Sequence, residues 1–479
     1  MQPDLQKRIP KALLLIFMLT ALVMWGQQQE AALASHRLMW SQDLAFFNQI
    51  LFNAAHGESW TSSLLLEPTG FFSMVHFHPV LAAILPIYWL RPGPSTLLWI
   101  NVLAVVASAW PLARIGARAT DSEHFGLAAG LAWLVWLPTQ SAAIADFRPM
   151  VFLIPALSWL IWGVYAQRRA LWIGGVILCC AAREESAYIL PSIGLLLAAG
   201  LPLGGKRRKE GLLIACSGLA WLVFLLIFKD NFFFHFNPTS FFSGESGPAP
   251  SPELTAHRWR FLGQSIGSGY FGALLSPAPL AFSIGPLSWL MTDAQREWHA
   301  FSGTVVYLKD PLLPLIASAG TLGAAWVVNR WEKSLYVVCC FLVLGNFFAF
   351  HSDQKRLNQR HADHKQQLNE SDHTALQTLL ERVKPEDRVA TDYTLIATLS
   401  GREVLWNRAH LYLESSDKPP HWTSDWPIKF DRFDTVVLPE KDSLLVHMDE
   451  NWKQEAQGGT YALWRRTAPP TGGFPKPLP

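Results

Sequence analysis

The stretch RRALWIGGVILCCAAREESAYILPSIGLLLAAGLPLGGKRRK, residues 168–209, is apolar apart from its two ends and a charged triplet near its middle. It begins with Arg168-Arg169, carries Arg183-Glu184-Glu185, and ends with the basic run Lys206 to Lys209. A helix needs roughly 20 apolar residues to cross a bilayer, and Lys and Arg gather on its cytoplasmic side. Two basic ends therefore predict a membrane hairpin with the triplet at its outer turn. Because lipid exposure of these charges would cost several kcal/mol, we expect a protein-lined cavity around them.

The same two rules organise residues 1–350 as a polytopic transmembrane domain. Half of the 479 residues are hydrophobic and only 16% are charged, against about 25% in soluble proteins. The N-terminus is predicted to be cytoplasmic and the C-terminus extracytoplasmic, with long outer loops at 28–94 and 229–303. The nine predicted crossings are 11–27, 95–116, 125–144, 149–166, the two arms of 170–202, 211–228, 304–328 and 334–350.

Three apolar segments allow more than one interpretation. Val80 to Leu90 is too short to cross, and 267–291 is broken by glycines and prolines, so both are predicted to be interfacial or re-entrant. If 267–291 spans the membrane, every later segment inverts. The first apolar block, Leu13 to Trp25, resembles a signal peptide with Ala32-Leu33-Ala34 as cleavage site, but that site lies well past the apolar run. We therefore favour a retained anchor, and both interpretations place residue 35 outside the cytoplasm.

The chain beyond residue 350 has a different character. Residues 351–468 begin with a polar, helical pattern and continue with four short β-type runs, which predicts a small soluble α/β domain. Residues 469–479 are rich in proline and are predicted to be disordered. The net charge of +2 gives no indication of nucleic-acid binding. All five cysteines lie in apolar blocks without disulfide or zinc spacing.

Ionisable residues recur at the predicted outer face. Asp43 begins an amphipathic pattern predicted to form a short helix, where a carboxylate could equally favour the helix dipole. His76-Phe77-His78-Pro79 and Asp146-Phe147-Arg148-Pro149 each place donors beside a proline that restarts a helix. Such donors suit anionic groups such as phosphate, although single polar residues at helix ends are common. Two such segments on the side of the Arg183 triplet favour one convergent polar site.

These motifs, in this order, resemble a group of bacterial and archaeal membrane proteins named domain of unknown function 2079. The resemblance covers roughly residues 11–350 closely and 385–440 more loosely. The family looks related to membrane glycosyltransferases of the C-type fold, GT-C. The resemblance therefore implies a mainly α fold: a transmembrane helical bundle with outer amphipathic loop helices and a small C-terminal α/β domain. It also implies a multi-pass protein of the bacterial or archaeal cell membrane, the inner membrane where there are two.

The resemblance also implies a mechanism, in which a sugar passes from a polyprenyl-phosphate donor to an acceptor at the outer face. Asp43 would be the base or help to hold a divalent metal, and His76, His78 and Arg148 would contact donor phosphate. Asp146, Arg183, Glu184 and Glu185 would complete the substrate site. The implied partners are the donor and membrane lipid.

The sequence departs from the family pattern in three places. Arg148 stands where the third motif usually has His, and Arg183-Glu184-Glu185 replaces Lys-Glu-Asp. A His-Tyr pair expected before the 304–328 crossing is absent, since His299 and Tyr307 are not adjacent. Two other functions stay open: a transporter or flippase of a lipid-linked or anionic solute, and a non-catalytic membrane protein that presents the outer domain. Against transport, the sequence shows no inverted repeat, and its polar groups gather at one face.

Overall fold

The computed structural model describes residues 3–36, 38, 41–58, 60–64, 69–70, 77–200, 207–232, 311–348, 370–408 and 430–470, with residues 259, 268, 270 and 272–275. Several features named above lie outside these ranges: His76, His299, Tyr307, residues 471–479 and most of 229–303. The described chain forms a helical body followed by a small sheet domain. This is the predicted fold class.

In the described ranges the helical body contains thirteen helices of seven residues or more, in addition to the four-residue helix Gly272–Leu275. Eleven precede the first long undescribed stretch: α1 Pro3–Ala34, α2 Ser41–Ala55, α3 Val80–Leu90, α4 Pro94–Ala107, α5 Ala109–Thr120, α6 Glu123–Val135, α7 Leu137–Ala143, α8 Leu153–Tyr165, α9 Arg169–Ala182, α10 Ser186–Ala198 and α11 Arg208–Phe232. Two follow it: α12 Leu312–Arg330 and α13 Leu335–Phe348. A short antiparallel pair, β1 Thr61–Ser62 with β2 Thr69–Gly70, lies between α2 and α3.

Among the described residues, four helical segments are long and apolar enough to cross a membrane: Arg8–Ala34, Pro94–Thr120, Arg208–Phe228 and Leu312–Arg330. Large apolar side chains point outward on several helices, including Met24, Ile177, Ile227 and Tyr336. A bundle that exposes such side chains is suited to lipid and not to water. The nine-crossing topology stays a prediction.

Residues 168–209 form two consecutive helices, α9 and α10, with the charged triplet between them, and α9 packs mainly on α8. Arg183 ends α9 with extended backbone, and α10 begins at Ser186. The second arm then packs closely on α11. A Cβ added at Gly194 would lie 2.3 Å from the backbone nitrogen of Ala215, so only glycine permits this approach. Small residues at helix crossings are typical of membrane bundles.

The C-terminal domain is a five-stranded mixed sheet with one described helix, α14 Glu370–Leu380. Its strands are β3 Val389–Thr391, β4 Leu405–Asn407, β5 Thr435–Pro439, β6 Trp452–Gly458 and β7 Tyr461–Arg466. Their order is β4-β3-β5-β7-β6, with parallel pairing around β3 and antiparallel pairing around β7. Four of the five strands coincide with predicted runs, and β6 was not predicted.

Helix α2 joins the two parts of the molecule. Its Leu44 and Ile50 belong to one apolar core with Leu376, Val389 and Leu405 of the C-terminal domain. Polar contacts add to this core. The Asn48 amide donates to Ser400 Oγ at 2.9 Å, and the Gln49 amide donates to the carbonyls of Arg402 and Glu403 at 3.1 and 2.9 Å. The predicted amphipathic helix therefore packs against protein on its polar as well as its apolar face.

His36 connects the end of α1 to the C-terminal domain in its neutral form. Its Nδ1 lies 2.9 Å from Thr398 Oγ1, and its Nε2 lies 3.2 Å from the Gln377 amide nitrogen. Since that amide can only donate, Nε2 accepts and Nδ1 carries the proton. Burial, with a smaller contribution from the nearby His373, lowers the pKa of His36 to about 4.

This lowered pKa predicts a loss of stability in mild acid. Because the unfolded pKa is about 6.5, the contribution is complete above pH 6.5 and is lost as pH falls toward 4. The unfolding midpoint of the wild type should therefore drop more between pH 7 and pH 4.5 than that of His36→Gln, which cannot titrate. Expressed as free energy of unfolding, the extra loss in the wild type should be on the order of 3 kcal/mol or less. An equal drop of the midpoint in both proteins would contradict this prediction.

Candidate active site

Asp43 and Arg148 form an ion pair at one end of the helical body. Asp43 lies in the first turn of α2, and its Oδ2 accepts a hydrogen bond from Arg148 Nε–H at 2.5 Å. The Arg148 side chain is only 8% exposed, whereas that of Asp43 is 47% exposed. The buried Arg148 guanidinium thus positions the Asp43 carboxylate, which remains accessible to solvent.

The local sequence explains the position of Arg148. It precedes Pro149, and a residue before proline is driven to extended backbone by steric clash. Arg148 has φ −142° and ψ 136°, and a short 3-10 turn, Pro149–Phe152, then leads into α8. Asp146, two residues earlier, is also buried.

The Phe47 side chain of α2 contacts His78. It lies one helical turn after Asp43, and its ring meets the His78 ring edge-on with centroids 5.5 Å apart. A second edge contact, at 5.9 Å, joins Phe47 to Phe147 between Asp146 and Arg148. The segment that contains His78 and the segment that contains Arg148 therefore both contact the Phe47 ring, one turn from Asp43. Phe47 thus places the His78 and Phe147 rings beside the helix turn that carries the Asp43–Arg148 pair.

His78 has a defined tautomer. Its Nδ1 lies 2.7 Å from the Ala182 carbonyl oxygen, which can only accept, so Nδ1 donates. This bond ties the segment before α3 to the end of α9. The neighbouring Phe77 backbone N–H donates to Glu184 Oε2 at 3.1 Å, which makes a second tie to the same turn. His78 and Glu184 are both almost fully buried.

The triplet itself is enclosed by protein. Arg183 Nε donates to Glu185 Oε2 at 2.5 Å, and its Nη1 lies 3.3 Å from Met150 Sδ. Arg183, Glu184 and Glu185 are 3%, 1% and 7% exposed. These charges thus avoid lipid, as the hairpin interpretation requires. Through Met150 and Ala182 they are connected to the segments that hold Arg148 and His78.

One residue near this site was not anticipated from the sequence. Tyr393, in the loop after β3, accepts a hydrogen bond at its carbonyl from the hydroxyl of Ser41, two residues before Asp43. Burial and the charges of Asp43 and Asp146 raise the pKa of Tyr393 to about 12, and Arg148 opposes this shift. The C-terminal domain therefore contributes a phenol to the surroundings of the ion pair.

The side chains in the described ranges do not form a ligand set for a resident metal ion. Within the ranges that the structure describes, no group of three His, Cys, Asp or Glu side chains is arranged to hold an ion. The carboxylate proposed as a ligand, Asp43, is instead paired with a guanidinium. No chemical step is therefore assigned to a metal.

The order and spacing of these motifs can be compared with known proteins. A family model described as "Predicted membrane protein (DUF2079)" matches residues 35–248. The resemblance to this family is confirmed. The matched segment includes Asp43, His76 to Pro79, Asp146 to Pro149 and the charged triplet, and thus every candidate residue predicted from the sequence, whereas Tyr393 lies outside it. A search of the curated proteins finds no significant match.

Two solved structures share the fold across nearly the whole chain. One is ArnT from Cupriavidus metallidurans bound to undecaprenyl phosphate, with a TM-score of 0.54 at 15% identity, over 96% of this chain and 99% of that one. The other is the same protein in the apo state, with a TM-score of 0.52 at 13% identity, over 95% and 98%. The similarity extends beyond the DUF2079 segment into the sheet domain. The chain therefore has the predicted GT-C fold, and it is a membrane protein.

Proposed function

We propose that this protein is a membrane glycosyltransferase that moves a sugar from a polyprenyl-phosphate donor to an acceptor at the extracytoplasmic face. The observation that carries the proposal is the Asp43–Arg148 pair, an accessible carboxylate held 2.5 Å from a buried guanidinium. The ArnT neighbour is bound to undecaprenyl phosphate and shares the fold. That ligand supports a polyprenyl phosphate as the lipid part of the donor.

The pair supplies the two functions that such a transfer needs. In the proposed step, the acceptor hydroxyl oxygen bonds to the anomeric carbon while the bond from that carbon to the donor phosphate oxygen breaks. Asp43 takes the hydroxyl proton, which a general base must reach within about 3 Å or through one water. The departing phosphate gains negative charge, which Arg148 stabilises, since guanidinium groups bind phosphate through several directed donors.

The remaining predicted residues have supporting roles in this proposal. His78 and Glu184 fix the turn between α9 and α10 against the segment before α3. Asp146, Arg183 and Glu185 are buried, and His76 precedes the His78 segment in the sequence. We assign these residues to substrate binding and to shaping the cavity.

The direct test is incubation of the purified protein with polyprenyl-phosphate sugars that carry a labelled sugar. The expected result is consumption of the donor, with release of polyprenyl phosphate and appearance of the labelled sugar on a hydroxyl acceptor, either an added alcohol or water. In sealed vesicles, movement of the intact labelled lipid across the bilayer without cleavage would overturn the proposal and favour a flippase.

Arg148 variants should weaken donor binding. Because hydrogen bonds to charged groups contribute about 1.5–3 kcal/mol, Arg148→Ala should raise the donor Kd by about 10-fold or more. Arg148→Lys should also be impaired, since lysine reproduces the planar donor geometry poorly. Binding can be measured by fluorescence with a labelled donor.

Arg466→Lys is the matched control for these variants. Arg466 is a buried arginine paired with an exposed aspartate, Asp449, at 3.2 Å in the sheet domain. Its replacement should leave donor affinity unchanged. Wild-type affinity in both Arg148 variants would remove Arg148 from the donor site.

A further inference from the structure

A polar cavity of about 590 Å³ lies at the opposite end of α8 from Arg148. It opens where α5 turns into α6 and where α8 ends. Helix α8 has 13 residues, and at 1.5 Å per residue its ends are about 20 Å apart. The cavity is therefore distinct from the candidate active site. In the predicted topology it faces the cytoplasm.

The acidic side chain at the edge of this cavity is already neutralised. Glu123, at the start of α6, accepts from Arg114 Nη1 at 3.0 and 3.1 Å and lies 3.1 Å from Lys11 Nζ. The Arg114 guanidinium also lies 6.0 Å from the centre of the Trp162 ring. These contacts fix one wall of the cavity and leave a surplus of positive charge, because two cations meet one carboxylate.

Two further arginines reach the cavity from different elements. Arg118 comes from the last turn of α5, and Arg168 comes from the turn between α8 and α9. Both side chains are exposed, and neither forms an ion pair with another residue in the described ranges. Asp121 is the one other carboxylate in the lining, so the described cavity keeps a positive balance. Arginines that converge from two elements suit a phosphate group.

The position of the cavity at helix ends suits a lipid headgroup. It lies at the ends of apolar helices, and Trp162 and Tyr165 stand at the same level of α8, where aromatic residues mark the bilayer interface. Its volume lies within the range of pockets that bind small ligands. We propose that this cavity binds the phosphate group of an anionic ligand, either a phospholipid headgroup of the cytoplasmic leaflet or a soluble phosphate ester.

Native mass spectrometry of the full-length protein in a neutral detergent tests this proposal. Phosphatidylglycerol and phosphatidylcholine are the lipid probes, and inorganic phosphate is the soluble competitor. Wild type should retain phosphatidylglycerol preferentially, and the double variant Arg118→Gln, Arg168→Gln should retain it roughly tenfold less. If inorganic phosphate displaces bound phosphatidylglycerol, the site binds phosphate from either source. If phosphatidylglycerol stays bound in the presence of inorganic phosphate, the site is specific for the lipid headgroup.

Arg330→Gln is the control, because Arg330 is an arginine at the end of α12 that does not line the cavity. It should retain the lipid like the wild type. Each single variant, Arg118→Gln or Arg168→Gln, should give an intermediate loss, which keeps the test valid if the double variant folds poorly. Equal retention of the two lipids by wild type, or an unchanged preference in the folded double variant, would overturn the proposal. Donor consumption is not part of this measurement, so its outcome is independent of the proposed transferase activity.

Discussion

Asp43→Asn is expected to lower turnover by about two orders of magnitude or more, which is what loss of a general base costs. Asparagine keeps the size and hydrogen-bonding capacity of aspartate but cannot take the acceptor proton. Because asparagine keeps a side-chain oxygen that can accept the hydrogen bond from Arg148 Nε, and because the residue 43 side chain is nearly half exposed, expression and membrane insertion should be unchanged. The measurement is kcat for sugar transfer, with the donor Kd determined on the same preparation.

The control for this variant is Asp449→Asn. Asp449 is 45% exposed and paired with an arginine that is 4% exposed, which reproduces the burial of the Asp43–Arg148 pair in another part of the molecule. It should have wild-type turnover. A loss of donor affinity with normal kcat in Asp43→Asn would show that Asp43 only orients Arg148. Full activity would leave Asp43 with the helix-dipole role alone.

The convergence of the candidate residues was predictable because it follows from topology. Basic residues at both ends of 168–209 predict a hairpin, and a hairpin would place the triplet on the side predicted for His78 and Arg148. The individual contacts were not predictable in the same way. That Arg148 pairs with Asp43, and that Phe47 contacts His78, depends on how α2 packs between two parts of the chain.

The location of α2 shows where sequence reasoning fails. Its apolar spacing indicates an amphipathic helix, and a membrane surface is the simplest partner for such a helix next to crossings. Asn48 and Gln49 are nevertheless fully buried, because their amides bond to groups near residue 400. No local pattern shows that a polar helix face has a protein partner about 350 residues away. Tyr393 was missed for the same reason.

Strand β6 was missed for a different reason. Its sequence, WKQEAQG, is mostly polar, and only its first and last residues are buried. It pairs on one side with β7 and forms the edge of the sheet, so it needs no alternating apolar pattern. Strand β5, with the sequence TVVLP, is central and was predicted, because burial on both faces requires an apolar run.

The largest stability effect is expected from the Arg183–Glu185 pair. Both side chains are under 10% exposed, and their atoms lie 2.5 Å apart. Arg183→Met leaves Glu185 buried without its cation. Removing one partner of a buried ion pair typically costs about 3–5 kcal/mol, because the remaining charge keeps its desolvation penalty. The unfolding midpoint in detergent should fall accordingly.

Two comparisons separate this cause from a general effect of the substitution. Arg91→Met removes an arginine whose partner, Glu30, lies 3.5 Å away, and since Arg91 is 70% exposed the cost should be about 1 kcal/mol or less. The double variant Arg183→Met, Glu185→Leu removes both buried charges and should recover most of the loss, since apolar replacements of buried pairs are often neutral or stabilising. If the double variant is no more stable than Arg183→Met, the loss comes from packing around Met150 and not from an unpaired carboxylate. Recovery would instead show that the triplet's charges are kept at the expense of stability, which is expected of groups retained for binding a substrate.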